Sequence, residues 1–166
     1  MSREEQDLLS GAALTAFRLN GQFLDIAEEL ARPAGLTAAW WQVLGAVLDE
    51  PLPVAGIARV MGITRQSVQR IADLLVDKGL AEYRPNPAHR RAKLVHPTAE
   101  GYAAVRRISP GHAAYAARLS KAVGRNELRR AVEAMRDLSA VLDQLGAPTN
   151  AAAEAPADHN TAHSPR

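Results

Sequence analysis

The sequence predicts a mainly α-helical fold that contains one short β-hairpin. Apolar residues recur at three- and four-residue steps in six separate segments, which is the spacing of amphipathic helices. Aromatic residues make up only 4% of the chain, so the core must be built mainly from Leu, Val, Ile and Ala, which favours packed helices. Only one pair of short segments has a strand-like composition. A length of 166 residues suits one domain, or one domain with accessory helices.

The first two helices are predicted before residue 53. Residues 4–31 have apolar side chains at helical spacing, and the segment RPAG at 32–35 ends this helix. Thr37 is a good N-cap for the second helix. Its apolar residues follow at i, i+3, i+4 and i+7, namely Trp40, Val43, Leu44 and Val47. The segment DEPLP at 49–53 ends it.

The next two helices are short and closely joined, in the segment VAGIARVMGITRQSVQRIADLLVDKGL at 54–80. The third helix is expected over about 54–61, and Gly62 then allows the positive φ that a tight turn needs. Thr64 caps the fourth helix, and Gly79 suits a left-handed C-cap. Two helices joined by so short a turn form a helix–turn–helix, in which the small Ala58 allows close packing at the corner.

The fourth helix has one apolar face and one polar face. Helical periodicity places its apolar residues inward: Val68, Ile71, Ala72 and Leu75. Its N-terminal half presents a polar face: Arg65, Gln66, Ser67, Gln69 and Arg70. Arginine can bind guanine with two hydrogen bonds and glutamine can bind adenine, and recognition helices read bases from their N-terminal residues. The alternative is an ordinary helix pair with a solvated face.

A basic hairpin is predicted directly after these helices. LAEYR at 80–84 and AKLVH at 92–96 are strand-like, and PNPAHRR joins them through a turn. A helix–turn–helix followed by two such strands is a winged helix, whose loop would project Arg90 and Arg91 toward a DNA minor groove. The alternative is that these are two ordinary surface arginines.

Two further helices and a polar tail complete the chain. Thr98 caps a fifth helix, which Pro110 with Gly111 is expected to kink or break near Ser109. The sixth helix is predicted over about 126–145. Residues 147–166 contain no Leu, Ile, Val or aromatic residue, so we expect this tail to be disordered.

Composition and charge limit the possible functions. The absence of cysteine excludes disulfides, thiolate catalysis and a cysteine redox switch. No signal peptide and no apolar run of the ~18 residues that span a membrane are present, so we expect a soluble, cytoplasmic protein. Residues 51–97 have a net charge of +5, whereas residues 1–50 have −5. This asymmetry indicates a polyanionic partner, although an ordinary basic surface is an alternative.

The segment from VAGIARVMG to PTAEG, residues 54–101, resembles the winged-helix core of the MarR family of bacterial transcriptional regulators. The resemblance implies that the second helix of the pair reads the major groove of double-stranded DNA and that the wing reaches the minor groove. Arg91 matches the arginine of the family's Asp-x-Arg motif in the wing. His89 and Asn86 stand where the family commonly has aspartates, and Pro97 stands where it has leucine. The DNA-binding residues that we predict are Thr64, Arg65, Gln66, Ser67, Gln69, Arg70, Arg90, Arg91 and Lys93.

The resemblance also implies which parts of the chain form a dimer and which part binds DNA. Residues 1–35 would form an N-terminal dimerisation helix, 36–97 the DNA-binding domain and 98–146 the C-terminal dimerisation helices. We therefore expect a homodimer on a pseudo-palindromic operator, and a repressor by family default. The alternative is that the terminal helices close the core of a monomer. Family members often bind small aromatic or phenolic effectors. Trp40, Trp41, His112 and Tyr115 could line the binding site of such a ligand. The simpler interpretation is that these aromatic residues fill the core.

An enzyme is not expected, because no P-loop, nucleophile-elbow or zincin motif is present. His159 and His163 have a metal-like spacing but no companion ligands, so we expect no metal site and no cofactor. Two other functions stay open. A winged helix can serve as a protein-interaction module, and a basic domain can bind nucleic acid without sequence specificity.

Overall fold

A computed structural model describes residues 2–146 and confirms the mainly helical fold. The helices are α1 (Arg3–Ala31), a 3-10 turn (Arg32–Ala34), α2 (Ala38–Ala46), α3 (Val54–Met61), α4 (Arg65–Asp77), α5 (Ala99–Val123) and α6 (Arg125–Leu145), and the strands are β1 (Leu52–Pro53), β2 (Ala81–Arg84) and β3 (Leu94–Pro97). The predicted disordered tail, 147–166, lies outside the described residues. Within residues 2–146, none of the helices is both long enough and apolar enough to cross a lipid bilayer.

The chain divides into two compact units, Met1–Ala117 and Arg118–Arg166, and the boundary falls within α5. The first unit contains the hydrophobic core. Aliphatic side chains of helices α2 to α5 and of strand β3 fill this core. Its fully buried members include Val43, Leu44, Val47, Ile57, Val68, Leu75, Val95 and Ala104. Burial of such side chains drives folding, and it holds α3 against α4 through the small Ala58, as predicted.

The hairpin belongs to a three-stranded antiparallel sheet of order β1-β3-β2. Tyr83 of β2 and Leu52 of β1 both pair with Val95 of the central strand. The predicted strands at 80–84 and 92–96 are confirmed with shifted boundaries. The prediction missed β1, which was taken only as the end of α2, because two residues are too few to show an alternating pattern.

The turns of the helix–turn–helix form as their residues predict. Gly62 follows α3 with φ 65° and Gly79 follows α4 with φ 71°, both in the left-handed region that glycine adopts without strain. The Thr64 hydroxyl accepts a hydrogen bond from the Ser67 amide at 3.1 Å and thereby caps α4. These local interactions hold α4 at a defined angle to the core.

The start of α5 is tied to the end of α4. The Thr98 hydroxyl accepts a hydrogen bond from the Gly101 amide at 3.1 Å, which confirms the predicted cap, and donates one to the Gly79 carbonyl at 2.6 Å. Of the two outcomes expected at Pro110, a kink or a break, the break is wrong, because α5 runs from Ala99 to Val123 as one helix. Proline removes one amide donor, but Ile108 before it is buried against the core and holds the helix there.

The second unit contains the end of α5 and the whole of α6. No residue of α6 is buried within the described chain, yet this helix is strongly amphipathic. Five of its large apolar side chains are between 44% and 75% exposed: Met135, Leu138, Val141, Leu142 and Leu145. Such an apolar face indicates a contact that residues 2–146 of one chain do not supply.

Candidate nucleic-acid interface

The fourth helix exposes the face that the sequence predicts. Val68, Ile71, Ala72 and Leu75 are buried, whereas Arg65, Gln66, Gln69 and Arg70 are exposed and Ser67 is half-buried. The apolar residues at helical spacing thus anchor the helix by one side. The opposite side presents arginine and glutamine, whose donors and acceptors can reach base edges in a DNA groove.

Thr64 and Ser67 are engaged at the N-terminus of α4. In addition to the cap, the Thr64 hydroxyl donates to the Ser67 hydroxyl at 2.9 Å. The pair therefore has less freedom to contact DNA than the arginines beside it. The free amides of the first turn still make this helix end favourable for a phosphate.

The wing is the loop at 85–93 between β2 and β3. The Asn86 side chain accepts a hydrogen bond from the Ala88 amide at 3.0 Å, and the Asn86 carbonyl accepts one from the His89 amide at 3.2 Å. Asn86 thus forms a local turn at a position where the family commonly has an aspartate. Arg90, Arg91 and Lys93 are all exposed on this loop.

A cleft of about 580 Å³ joins the wing to the first turns of α4. It brings three cationic side chains together, Arg65 from the helix and Arg91 and Lys93 from the wing, and none of the acidic residues between 2 and 146 lines it. The remaining lining residues are Pro53, Val54, Ala55, Gln66, Gln69, Tyr83 and Ala92. Arg70 and Arg90 are exposed outside the cleft. Clustered cations with few carboxylates create the positive potential that attracts a nucleic-acid backbone.

A hydrogen-bond network that the sequence did not reveal lies on this face. The Gln69 side-chain amide donates to Asp73 Oδ1 at 2.9 Å and to the Tyr83 hydroxyl at 2.9 Å. The Tyr83 hydroxyl donates in turn to Asp73 Oδ1 at 2.5 Å. Burial of the phenol, reinforced by the bond to Asp73, raises the pKa of Tyr83 from 10.0 to about 12. The spacing of Gln69 and Asp73 was a visible signal, but nothing local indicated Tyr83.

The candidate effector residues have different surroundings in the structure. Trp41 and His112 meet edge to face, with ring centroids 5.7 Å apart. Trp40 and Trp41 are half-buried against the core, as the simpler interpretation expected. Tyr115 lines a separate groove of about 240 Å³, with Asp25, Ile26, Glu29 and Leu30.

A metal site is not indicated by the part of the chain that the structure describes. Residues 2–146 contain no group of three or more His, Asp or Glu side chains that could hold an ion. His159 and His163, which have a metal-like spacing in the sequence, lie outside this range.

Comparison with known proteins connects this geometry with one family. A sequence profile described as "MarR family" matches residues 34–92, which include the helix–turn–helix and most of the wing. The uncharacterized protein Rv2011c of Mycobacterium tuberculosis is 36% identical over 137 residues, which cover 78% of this chain and 96% of that protein.

Several solved structures share the fold. The transcriptional regulator MosR of M. tuberculosis, in complex with DNA, has a TM-score of 0.69 at 22% identity, covering 82% of this chain and 98% of MosR. The transcriptional repressor CouR, bound to a DNA duplex, has a TM-score of 0.67 at 24% identity and covers 84% and 98%. Bordetella bronchiseptica BpsR, whose DNA binding is regulated by 6-hydroxynicotinic acid, has a TM-score of 0.67 at 22% identity and covers 78% and 98%.

Proposed function

This chain belongs to the MarR family of transcription regulators, and from that membership we propose that it binds double-stranded DNA with sequence specificity. It acts in the cytoplasm as a homodimer on a pseudo-palindromic operator, where it is a repressor that a small ligand releases. The single observation that carries this proposal is the cationic cleft between α4 and the wing.

The cleft supports two kinds of DNA contact. Arg65 and Gln66 stand exposed on the first turn of α4, where side chains can reach base edges in the major groove. Arg91 and Lys93 on the wing provide charge for phosphates or for a narrow minor groove. The bound duplexes of MosR and CouR, which share this fold, support the same use of the surface here.

The exposed apolar faces of the terminal helices support the homodimer. In α1 five large apolar side chains are at least half exposed: Leu8, Leu9, Leu14, Phe17 and Phe23. The apolar face of α6 is likewise uncovered. A second copy of the chain would remove both faces from water, at roughly 25 cal/mol per Å² of apolar area. Two copies would also present two α4 helices to successive major grooves about one helical turn apart.

The repressor and effector parts of the proposal draw on the relatives. CouR is a repressor, and BpsR responds to a small aromatic acid. A dimer bound across a promoter would exclude RNA polymerase. The edge-to-face pair of Trp41 and His112 offers an aromatic ligand a surface to stack on. Trp40 and Tyr115 remain weaker candidates for the same role.

A binding titration tests the proposal. The full-length protein is titrated against a labelled duplex from the DNA flanking its own gene and against a random-sequence duplex pool, at several salt concentrations and with excess competitor DNA. We expect one duplex sequence to stay bound in the presence of competitor DNA at physiological salt. Its affinity should exceed that of the random pool by a factor of about 10³ or more.

Two other results would contradict it. Equal removal of both duplexes by competitor indicates a non-specific binder, whose affinity comes from counterion release alone. No binding to either duplex at low salt indicates a protein-interaction module. Size-exclusion chromatography with light scattering, on the same sample, tests the dimer independently, because a stable monomer would remove that part of the proposal.

A further inference from the structure

On the basis of the DNA-binding function proposed above, we propose that Asp73 and Tyr83 determine which bases Gln69 can read. Both accept from the Gln69 amide nitrogen, so that only its carbonyl oxygen is available to DNA. Gln69 then selects a base with an exocyclic amino group in the major groove, which is adenine or cytosine, and does not distinguish between the two.

The geometry of the three side chains is closed. Gln69 Nε2 lies 2.9 Å from both Asp73 Oδ1 and the Tyr83 hydroxyl, and the latter two atoms lie 2.5 Å apart. A primary amide has two hydrogens, and Nε2 has two acceptors here, which lie on the same side of the nitrogen because they are only 2.5 Å apart. Gln69 Oε1, by contrast, accepts no hydrogen bond from any residue between 2 and 146. Gln69 also lines the cationic cleft, so this oxygen belongs to the surface that would meet DNA.

The orientation of the Gln69 amide follows from the chemistry of its neighbours. The ionised carboxylate of Asp73 can only accept hydrogen bonds, so it requires Nε2 and would repel Oε1. The Tyr83 hydroxyl donates its hydrogen to Asp73 and is left as an acceptor for Gln69. Because burial keeps the phenol protonated well above neutral pH, this arrangement persists under the conditions of DNA binding.

An amide restricted in this way differs from an ordinary glutamine. Pairing with adenine through two hydrogen bonds needs the oxygen to accept from N6 and the nitrogen to donate to N7. Gln69 can make only the first of these bonds, and cytosine N4 is an equivalent donor. Guanine and thymine present acceptors at the corresponding positions, so the Gln69 oxygen would have no hydrogen-bond partner there. Gln66, three residues earlier, has no such partners in the described chain and keeps both groups for adenine.

The test releases the amide and measures the base preference. Wild-type protein, the double variant Asp73→Ala/Tyr83→Phe and the single variant Tyr83→Phe are each used to select duplexes from a random-sequence pool. Each is also made in a Gln69→Ala background. Gln66→Ala is the matched control, because it removes an exposed amide of the same helix that the network does not hold. Thermal melting measures the folding of every variant.

We expect wild-type protein to enrich adenine and cytosine about equally at one position of each half-site. The double variant should favour adenine over cytosine at that position by roughly 2- to 12-fold, which is the range that one added hydrogen bond provides. Gln69→Ala should abolish the preference in every background, and Gln66→Ala should change a different position. If the double variant is unstable, Tyr83→Phe alone, which removes one oxygen atom, should shift the preference in the same direction.

Three results would overturn the proposal. One is a wild-type preference for guanine, for thymine or for adenine over cytosine at that position. Another is equal weakening of all sequences by the folded variants, with base ratios unchanged, because the network would then only support the fold. If wild-type protein enriches no sequence at all, the proposed function fails, and the role of the network fails with it.

Discussion

Replacing Arg91 with alanine tests whether the wing contacts the DNA backbone. Arg91 is exposed and lines the cationic cleft with Arg65 and Lys93. It makes no hydrogen bond or ion pair to another residue within 2–146, so its removal should cost the fold little. The expected effect is therefore on DNA affinity and on the salt dependence of that affinity.

The size of the effect follows from counterion release. Each neutralised phosphate contributes about −0.9 to the slope of log affinity against log salt. The proposed homodimer would lose two copies of Arg91, so the slope should become shallower by about 1.8 if each copy contacts one phosphate. As salt rises from about 50 to about 200 mM, the ratio of wild-type to variant DNA affinity should therefore fall by about 12-fold.

Fluorescence anisotropy of a labelled duplex, taken from the enriched pool, measures this slope across the salt range. Arg136→Ala is the control, because it removes an exposed arginine of α6 that lies outside the predicted interface. Its slope should equal that of wild-type protein. An Arg91→Ala slope equal to the wild-type slope would refute the placement of the wing on the DNA backbone.

Four further changes test other parts of the structure. Gln66→Ala should relax the preference at one base by about 1–3 kcal/mol in a pool selection, with no change in salt slope, because an amide neutralises no phosphate. Leu138→Asp should give a monomer in light scattering and abolish operator binding, since it places a charge on an apolar contact face. Gly101→Ala should lower the free energy of unfolding in urea by about 3 kcal/mol, because the added Cβ would lie 2.0 Å from the Leu80 carbonyl oxygen. Stability should fall as pH rises from 10 toward 12, because Tyr83 loses its proton at lower pH in the unfolded chain than in the folded one.

Matched variants separate these effects from general damage. Gly45→Ala, whose added Cβ meets no atom within 4 Å, should not destabilise the protein. Asp137→Ala, on the exposed surface of α6, should leave the dimer intact. Tyr83→Phe should flatten the decline between pH 10 and 12, since phenylalanine has no proton to lose. The dimer expectation is contradicted if the Leu138→Asp variant is still a dimer, and the packing expectation if the Gly101→Ala variant is as stable as wild-type protein. The pH expectation is contradicted if Tyr83→Phe leaves the pH profile of stability unchanged.

The helix–turn–helix could be predicted closely because its determinants are local. The Thr64 cap, the positive φ of Gly62 and the two faces of α4 depend on residues within about one helical turn of each other. The strand boundaries were less accurate, and β1 was missed, because a strand of two residues exists only through its pairing with Val95 and Leu94. The continuity of α5 through Pro110 could not be predicted, because it depends on the packing of the preceding turn against the core. The spacing of apolar residues in the sequence does not reveal that packing.

Local patterns in the amino-acid order thus established the helices, their caps, the polar face of α4 and the basic wing. Packing in three dimensions settled which of these side chains meet. It placed Arg65 beside Arg91 and Lys93, and it brought Tyr83 of β2 to Gln69 of α4. The reason is physical: helical spacing and capping act over three or four residues, whereas a contact between elements depends on how the buried faces of both fit the same core.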